Sequence, residues 1–136
     1  MDALPEWPDG TVAVLSTGAG SPHAIPVSLV RRTGPLSLVL GLAPRRESLA
    51  RLRAEPRCAV TVLAPGHAFT AHGSAEVLEP TGAGVVPARM AVERIQDHRH
   101  ETFAMESGAR FRWTDDVAAR RDAEARAALA QLPEWE

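Results

Sequence analysis

Leu36, Leu38, Leu40 and Leu42 occupy every second position. Apolar residues at a strict period of two describe an extended strand with one face buried, and exclude a helix over that stretch. The same rhythm runs through most of the chain. Val12 and Val14 alternate with Ala13 and Leu15, Ile25, Val27 and Leu29 follow, and Cys58, Val60 and Val62 continue the pattern. Phe69, Ala71, Gly73, Ala75 and Val77 stand opposite Thr70, His72, Ser74 and Glu76. Ala88, Met90 and Val92 make a sixth run, and Phe111 with Trp113 a short seventh, flanked by Arg110 and Arg112. Runs of this length, divided by Gly and Pro clusters, predict a sandwich or barrel of six or seven strands. Its core is predicted to hold Val12, Val14, Leu38, Leu40, Val60, Val62, Phe69 and Val77.

Two helical patterns interrupt the strands, so the chain is mainly β with two helices. The first covers about Arg46 to Glu55, with Leu49 and Leu52 as its apolar stripe and Pro56 as its stop. The second follows Thr114, read as its N-cap, with Asp115 and Asp116 in a first turn where the helix macrodipole favours acids. It runs to Leu132 before Pro133, and Asp116–Arg120 and Asp122–Arg126 are spaced for ion pairs on one face. Thr17-Gly18-Ala19-Gly20 and Thr81-Gly82-Ala83-Gly84 read as hairpin turns that need a positive φ. Neither has the full spacing of a dinucleotide loop or a following lysine. The expected organisation is a flexible segment over 1–10, a barrel over 11–113 and a C-terminal helix packed on it over 114–136.

At 136 residues the chain is one domain, able to bury roughly two-thirds of its unfolded surface. It has no lysine and no tyrosine, and all fifteen basic side chains are arginine. Schiff-base lysine chemistry and a tyrosine general acid are therefore excluded, and any anion must be held by Arg, backbone N–H groups or hydroxyls. A net charge of −2 removes the main driving force for nucleic-acid binding. Cys58 is the only cysteine, on the apolar face of its strand, and is read as an inert buried thiol. No apolar run approaches the roughly 20 residues of a membrane helix, and Pro5, Glu6, Trp7 and Pro8 stand where a basic apolar leader would be. A cytoplasmic protein with neither membrane nor nucleic-acid partner is expected.

Local chemistry concentrates at Ala43-Pro44-Arg45-Arg46-Glu47-Ser48. Two arginines at a helix start oppose the macrodipole by about 0.3–1 kcal/mol. They are either a solvated pair or, with free helix N–H groups and the Ser48 hydroxyl, a cradle for a phosphate. His98 and His100 in Asp97-His98-Arg99-His100 share a strand face, but a third metal ligand is not evident, and no metal is expected. Leu15-Ser16-Thr17-Gly18 lacks the first glycine of a nucleophile elbow. Arg110-Phe111-Arg112-Trp113, the one aromatic–basic cluster, suits a small flat ligand carrying a phosphate at least as well as a nucleic acid. No residue is assigned a catalytic role.

Gly20-Ser21-Pro22-His23-Ala24-Ile25-Pro26-Val27, after the strand Val12 to Thr17, resembles the opening of the pyridoxamine 5′-phosphate oxidase-like family, whose hairpin reads G-x-P-H-x-x-P-V. Glu55-Pro56-Arg57 leading into Cys58-Ala59-Val60-Thr61-Val62 is similar to that family's D-P-R passage, and Gly73-Ser74-Ala75-Glu76-Val77 to its G-x-A-x-V strand. The resemblance spans roughly residues 11–95 and implies an FMN-binding split β-barrel. It further implies a homodimer with cofactor sites at the subunit interface, holding FMN, a deazaflavin or, less often, haem. The cofactor phosphate is then assigned to Arg45, Arg46 and Ser48, the flavin ring to the backbone of Pro26, Val27 and Ser28, and a further contact to Arg110 and Trp113. Many members carry a lysine eight residues before the proline of D-P-R, where this chain has Ser48. The implied activity is a flavin- or deazaflavin-dependent reductase acting on a small flat molecule. A non-catalytic flavin- or haem-binding module and a cofactor-free interaction domain stay open beside it. Vitamin B6 oxidation does not suit a short chain whose end is an acidic, alanine-rich helix.

Overall fold

The structure, a computed structural model, describes residues 1–133. Seven strands pair antiparallel throughout: β1 (Ala13–Thr17), β2 (His23–Val27), β3 (Val30–Gly34), β4 (Ser37–Leu42), β5 (Arg57–Ala64), β6 (His67–Val77) and β7 (Val86–Asp97). Helix α1 (Glu47–Ala54) joins β4 to β5, and α2 (Asp116–Ala130) closes the described chain. The sheet runs β2-β1-β5-β6-β7-β4-β3 and curls until β2 touches β4, which gives the mainly β, split-barrel architecture with two helices expected from the alternation.

Leu38, Leu40, Val60, Val62, Phe69, Ala71, Ala88 and Met90 fill the inside of the curl and are fully buried. Burying a side chain of the Val, Leu or Phe class stabilises by about 1.5–3 kcal/mol, so this lining dominates the apolar driving force. Leu49 and Leu52 close one end from α1. A second, smaller cluster forms on the outside of β4, where Val39 meets Leu29, Ala125 and Leu129.

Four expectations are corrected. Phe111 and Trp113 form no strand. The seventh strand is β3, whose Val30-Arg31-Arg32-Thr33-Gly34 carries too little apolar alternation to be read from sequence. In β1 the inward residues are Ala13 and Leu15, while Val14 is 39% exposed and Val12 half-buried. The pairing decides this: Ala13 stands against Val62 and Leu15 against Val60, and partners across a ladder share a face. Residues 1–10 are not loose throughout. Leu4 is only 3% exposed, its N–H donates to Pro35 O (2.7 Å), and its carbonyl accepts from Arg32 Nε (3.0 Å). Trp7 stacks at a tilt on Phe69 and donates from Nε1 to Val30 O. Finally, the N-cap of α2 is Asp115, whose carboxylate accepts from Ala118 N–H, and not Thr114.

The glycine turns behave as read at their last positions: Gly20 and Gly84 have φ of +69° and +79°. Gly73 has a different duty. It lies at a register shift between β6 and β7, where a Cβ would stand 1.9 Å from Ala91 O. Gly73→Ala is therefore expected to push the two longest strands apart and to destabilise by about 1–3 kcal/mol or more. An unchanged urea midpoint for this variant would refute the close approach.

Candidate functional site: the loop before α1 and the β1–β2 hairpin

Arg45 and Arg46 lie in the loop between β4 and α1, both exposed, and Arg46 is the N-cap residue of α1. A cap residue normally offers an oxygen to the first free N–H groups. Arg46 has none to offer, and no side-chain cap bond forms. Neither arginine makes an ion pair or side-chain hydrogen bond among the described residues, so two unpaired arginines directly precede a helix start that has no side-chain cap. Ser48 does not join them. Its side chain is fully buried on the Leu49–Leu52 side of α1, and its Oγ has no partner among protein atoms. The helical repeat turns position 48 inward, so its hydroxyl cannot contribute to an exposed cradle.

Three residues that sequence reasoning missed fasten this loop to the hairpin. Arg51 Nη1 donates to Ala19 O (2.5 Å) and Ser21 O (2.8 Å), in the turn between β1 and β2. Glu47 Oε2 lies 2.9 Å from His23 Nε2 and 3.5 Å from Arg51 Nε. The only sequence signal was the spacing of Glu47 and Arg51, four apart with the acid first. Thr17 Oγ1 and His23 Nδ1, at the root of the same hairpin, are buried without a partner, like Ser48 Oγ.

The remaining assigned residues gather at the opposite end of β1 and β2. Pro26 is exposed on the end strand β2, where a missing N–H is tolerated. Val27 points into the core, so only its backbone is available there. Ser28 is half-buried, and its carbonyl already accepts from Arg126 Nη2 (3.0 Å). Arg110 is exposed close to Gly10, and Ala109 O accepts from Val12 N–H, which brings residues 109–110 alongside the start of β1. Trp113 is exposed and packs edge-on against Phe111, ring centroids 5.3 Å apart. The assigned residues thus fall into two groups separated by the length of β1, about 13 Å at the usual rise per strand residue.

Other polar features serve the fold. Arg126 binds Asp122 (2.8 Å), Asp9 (2.9 Å) and the Ser28 carbonyl, and so ties α2 to the N-terminal segment and to the β2–β3 corner. A cleft of about 500 Å³ lies beside it, lined by Trp7, Arg31, Leu129 and neighbours, away from the loop before α1. Asp97 accepts from Arg99 Nε and Nη2, and these bonds hold its carboxyl down to about 2. His98 bonds Thr70 (2.7 Å), which bonds Thr61 (2.9 Å). Among the described residues no three His, Cys, Asp or Glu side chains converge as metal ligands, and no helix is long and apolar enough to cross a membrane.

No family model and no curated protein matches the chain by sequence. Its backbone does match solved structures. A candidate pyridoxamine 5′-phosphate oxidase from Listeria innocua aligns with a TM-score of 0.54 at 18% identity, over 65% of this chain and 88% of that one. BorF, the flavin reductase component of a bacterial two-component tryptophan halogenase, gives 0.58 at 14%, over 67% and 81%. A FAD-binding protein from Mesorhizobium loti gives 0.52 at 20%, over 62% and 83%. The chain has the pyridoxamine 5′-phosphate oxidase-like fold. Within this fold the sequence resemblance and the backbone agree on the β1–β2 hairpin and on the helix between β4 and β5.

Cys58 lines the core from β5, and burial alone pushes its thiol up to about 12. Only the thiolate reacts at an appreciable rate. The native protein is therefore expected to resist iodoacetamide at pH 8 and to be alkylated fully in denaturant. Rapid native labelling, read by mass spectrometry, would contradict the burial.

Proposed function

We propose that this chain binds a phosphate-bearing flavin, FMN in the first instance, and serves as an oxidoreductase toward a small flat substrate. The observation that carries the reading is the pair Arg45 and Arg46, exposed and unpaired beside the uncapped start of α1. Positive charge at that end of a helix is unfavourable until an anion arrives, and an anion is bound there by both the guanidinium groups and the N–H groups. The flavin proteins among the structural neighbours support the choice of ligand.

In this reading Arg45 and Arg46 hold the phosphate, and the ring extends along β1 and β2 toward the backbone of Pro26 to Ser28. Arg110 lies near Gly10 at that far end, and in this reading the Phe111–Trp113 pair that follows it in the chain shields the ring from water. A bound flavin supplies hydride transfer at its own ring, which leaves binding, orientation and exclusion of water to the protein. No separate acid or base is then required of the chain.

The proposal includes a twofold homodimer. Val14 and Leu63 project from the outer face of the adjacent strands β1 and β5, at 39% and 44% exposure. Exposed apolar side chains on a sheet face favour burial against a second copy. A stable monomer in sedimentation at micromolar concentration argues against it.

The direct test is a titration with FMN and with a deazaflavin phosphate, read by fluorescence quenching. Removing one charge-assisted contact costs about 1.5–3 kcal/mol, so Arg45→Ala and Arg46→Ala should each weaken FMN by roughly 10- to 100-fold. Thermal stability should barely move, because exposed charges contribute little to it. Unchanged affinity in both variants overturns the assignment of the phosphate, and tighter deazaflavin binding reassigns the cofactor. Oxidation of NAD(P)H or reduced deazaflavin by the loaded protein separates a reductase from a module that binds without turnover.

A further inference from the structure

Glu47 is the first residue of α1, directly after Arg46, and its side chain is 65% exposed. A carboxylate there poses a difficulty for the phosphate site. Left free, it can reach for the adjacent guanidinium groups, and it repels an incoming phosphate at close range. In the structure it is paired on the other side, with the hairpin and Arg51. Its Oε2 lies 2.9 Å from His23 Nε2 and 3.5 Å from Arg51 Nε. Arg51 is itself fixed, 16% exposed, by two hydrogen bonds to the carbonyls of Ala19 and Ser21. The guanidinium is planar and needs no proton to stay charged, so it can bond the hairpin with one nitrogen and face the carboxylate with another.

We infer that Arg51 is a positioning residue for the phosphate-receiving loop: it draws the Glu47 carboxylate toward the β1–β2 hairpin and so keeps Arg45 and Arg46 free for an anion. The inference rests on the proposed phosphate site and adds to it a residue that does not touch the ligand. Its two links are separable. The carbonyl contacts fasten α1 to the hairpin, and the charge contact, a 3.5 Å approach without a hydrogen bond, adds to the closer His23 contact in restraining Glu47. A purely structural role needs only the first link. Restraint of the carboxylate needs the second, and it predicts that removing the carboxylate also removes the need for Arg51.

The experiment compares FMN with riboflavin, which has the same ring and no phosphate, across the parent, Arg51→Ala, Glu47→Gln and the double variant at one low salt concentration. Arg51→Ala should weaken FMN by about 10-fold, a modest loss consistent with a partly exposed charge. Riboflavin should change by less than about 2-fold on the same scale, since it makes no use of the loop. Glu47→Gln should bind FMN at least as tightly as the parent, and in the double variant it should restore most of what Arg51→Ala lost. Equal loss for FMN and riboflavin, or no rescue in the double variant, overturns the inference and leaves the phosphate site standing. A parent that does not prefer FMN over riboflavin overturns the phosphate site, and this inference with it. If circular dichroism shows Arg51→Ala unfolded, Arg51→Gln takes its place in the same cycle, because its amide can still donate to one hairpin carbonyl.

Discussion

Strand β4 sends Leu38, Leu40 and Leu42 into the barrel while Val39 points the other way, against Leu29, Ala125 and Leu129. The rest of the molecule depends on that two-sided burial. The inner side is closed by β7, β5 and β6, which bring Met90, Val60, Val62 and Phe69 to the same core. The outer side is closed by α2, which would otherwise be a largely polar helix with two buried residues. A strand covered on both faces cannot slip by one residue without exposing one leucine set and burying the wrong partners. Its register fixes where β4 ends, and therefore where the loop carrying Arg45 and Arg46 begins.

From that fixed point the loop is presented by two weak devices. Helix α1 is two turns long and lacks a side-chain cap, so its start has little intrinsic order. Stiffness comes from the hairpin instead, through Arg51 to Ala19 and Ser21 and through Glu47 to His23. Gly20 adopts a left-handed φ of +69° that favours glycine and shapes the turn whose carbonyls Arg51 reaches. In the proposed reading an anion arriving at α1 meets a helix start already fastened to the hairpin, and less ordering has to accompany binding.

Arg126 does the corresponding work at the other end of the hairpin. It binds Asp122, Asp9 and the Ser28 carbonyl, so one side chain links helix, N-terminal segment and sheet corner. Its spacing from Asp122 was legible as a helical ion pair. Asp9 and Ser28 were not, being 117 and 98 residues away along the chain. Arg45 and Arg46 make no such contact among the described residues, and in this they resemble other exposed arginines such as Arg53 and Arg112.

Period-two alternation marked six of the seven described strands, and the Leu49–Leu52 stripe ending at Pro56 marked α1, because side-chain spacing follows directly from backbone geometry. The cluster Arg45-Arg46 at a helix start was equally visible, since charge and position are local properties. Alternation could not say which face of β1 is inside. Val14 is larger than Ala13 and looked the better core residue, yet ladder pairing with Val60 and Val62 turned Ala13 and Leu15 inward. It also missed β3, a strand held by its pairing with β4 and not by apolar content, and it gave Phe111 and Trp113 a strand that finds no partner. Ser48 was assigned to the phosphate cradle beside the arginines, whereas the turn of α1 carries its side chain inside, where its hydroxyl has no protein partner. Local periodicity is set by bonded geometry and is written in the sequence. Register, facing and the partners of a long arginine depend on contacts between distant segments, and only the folded chain brings those segments together.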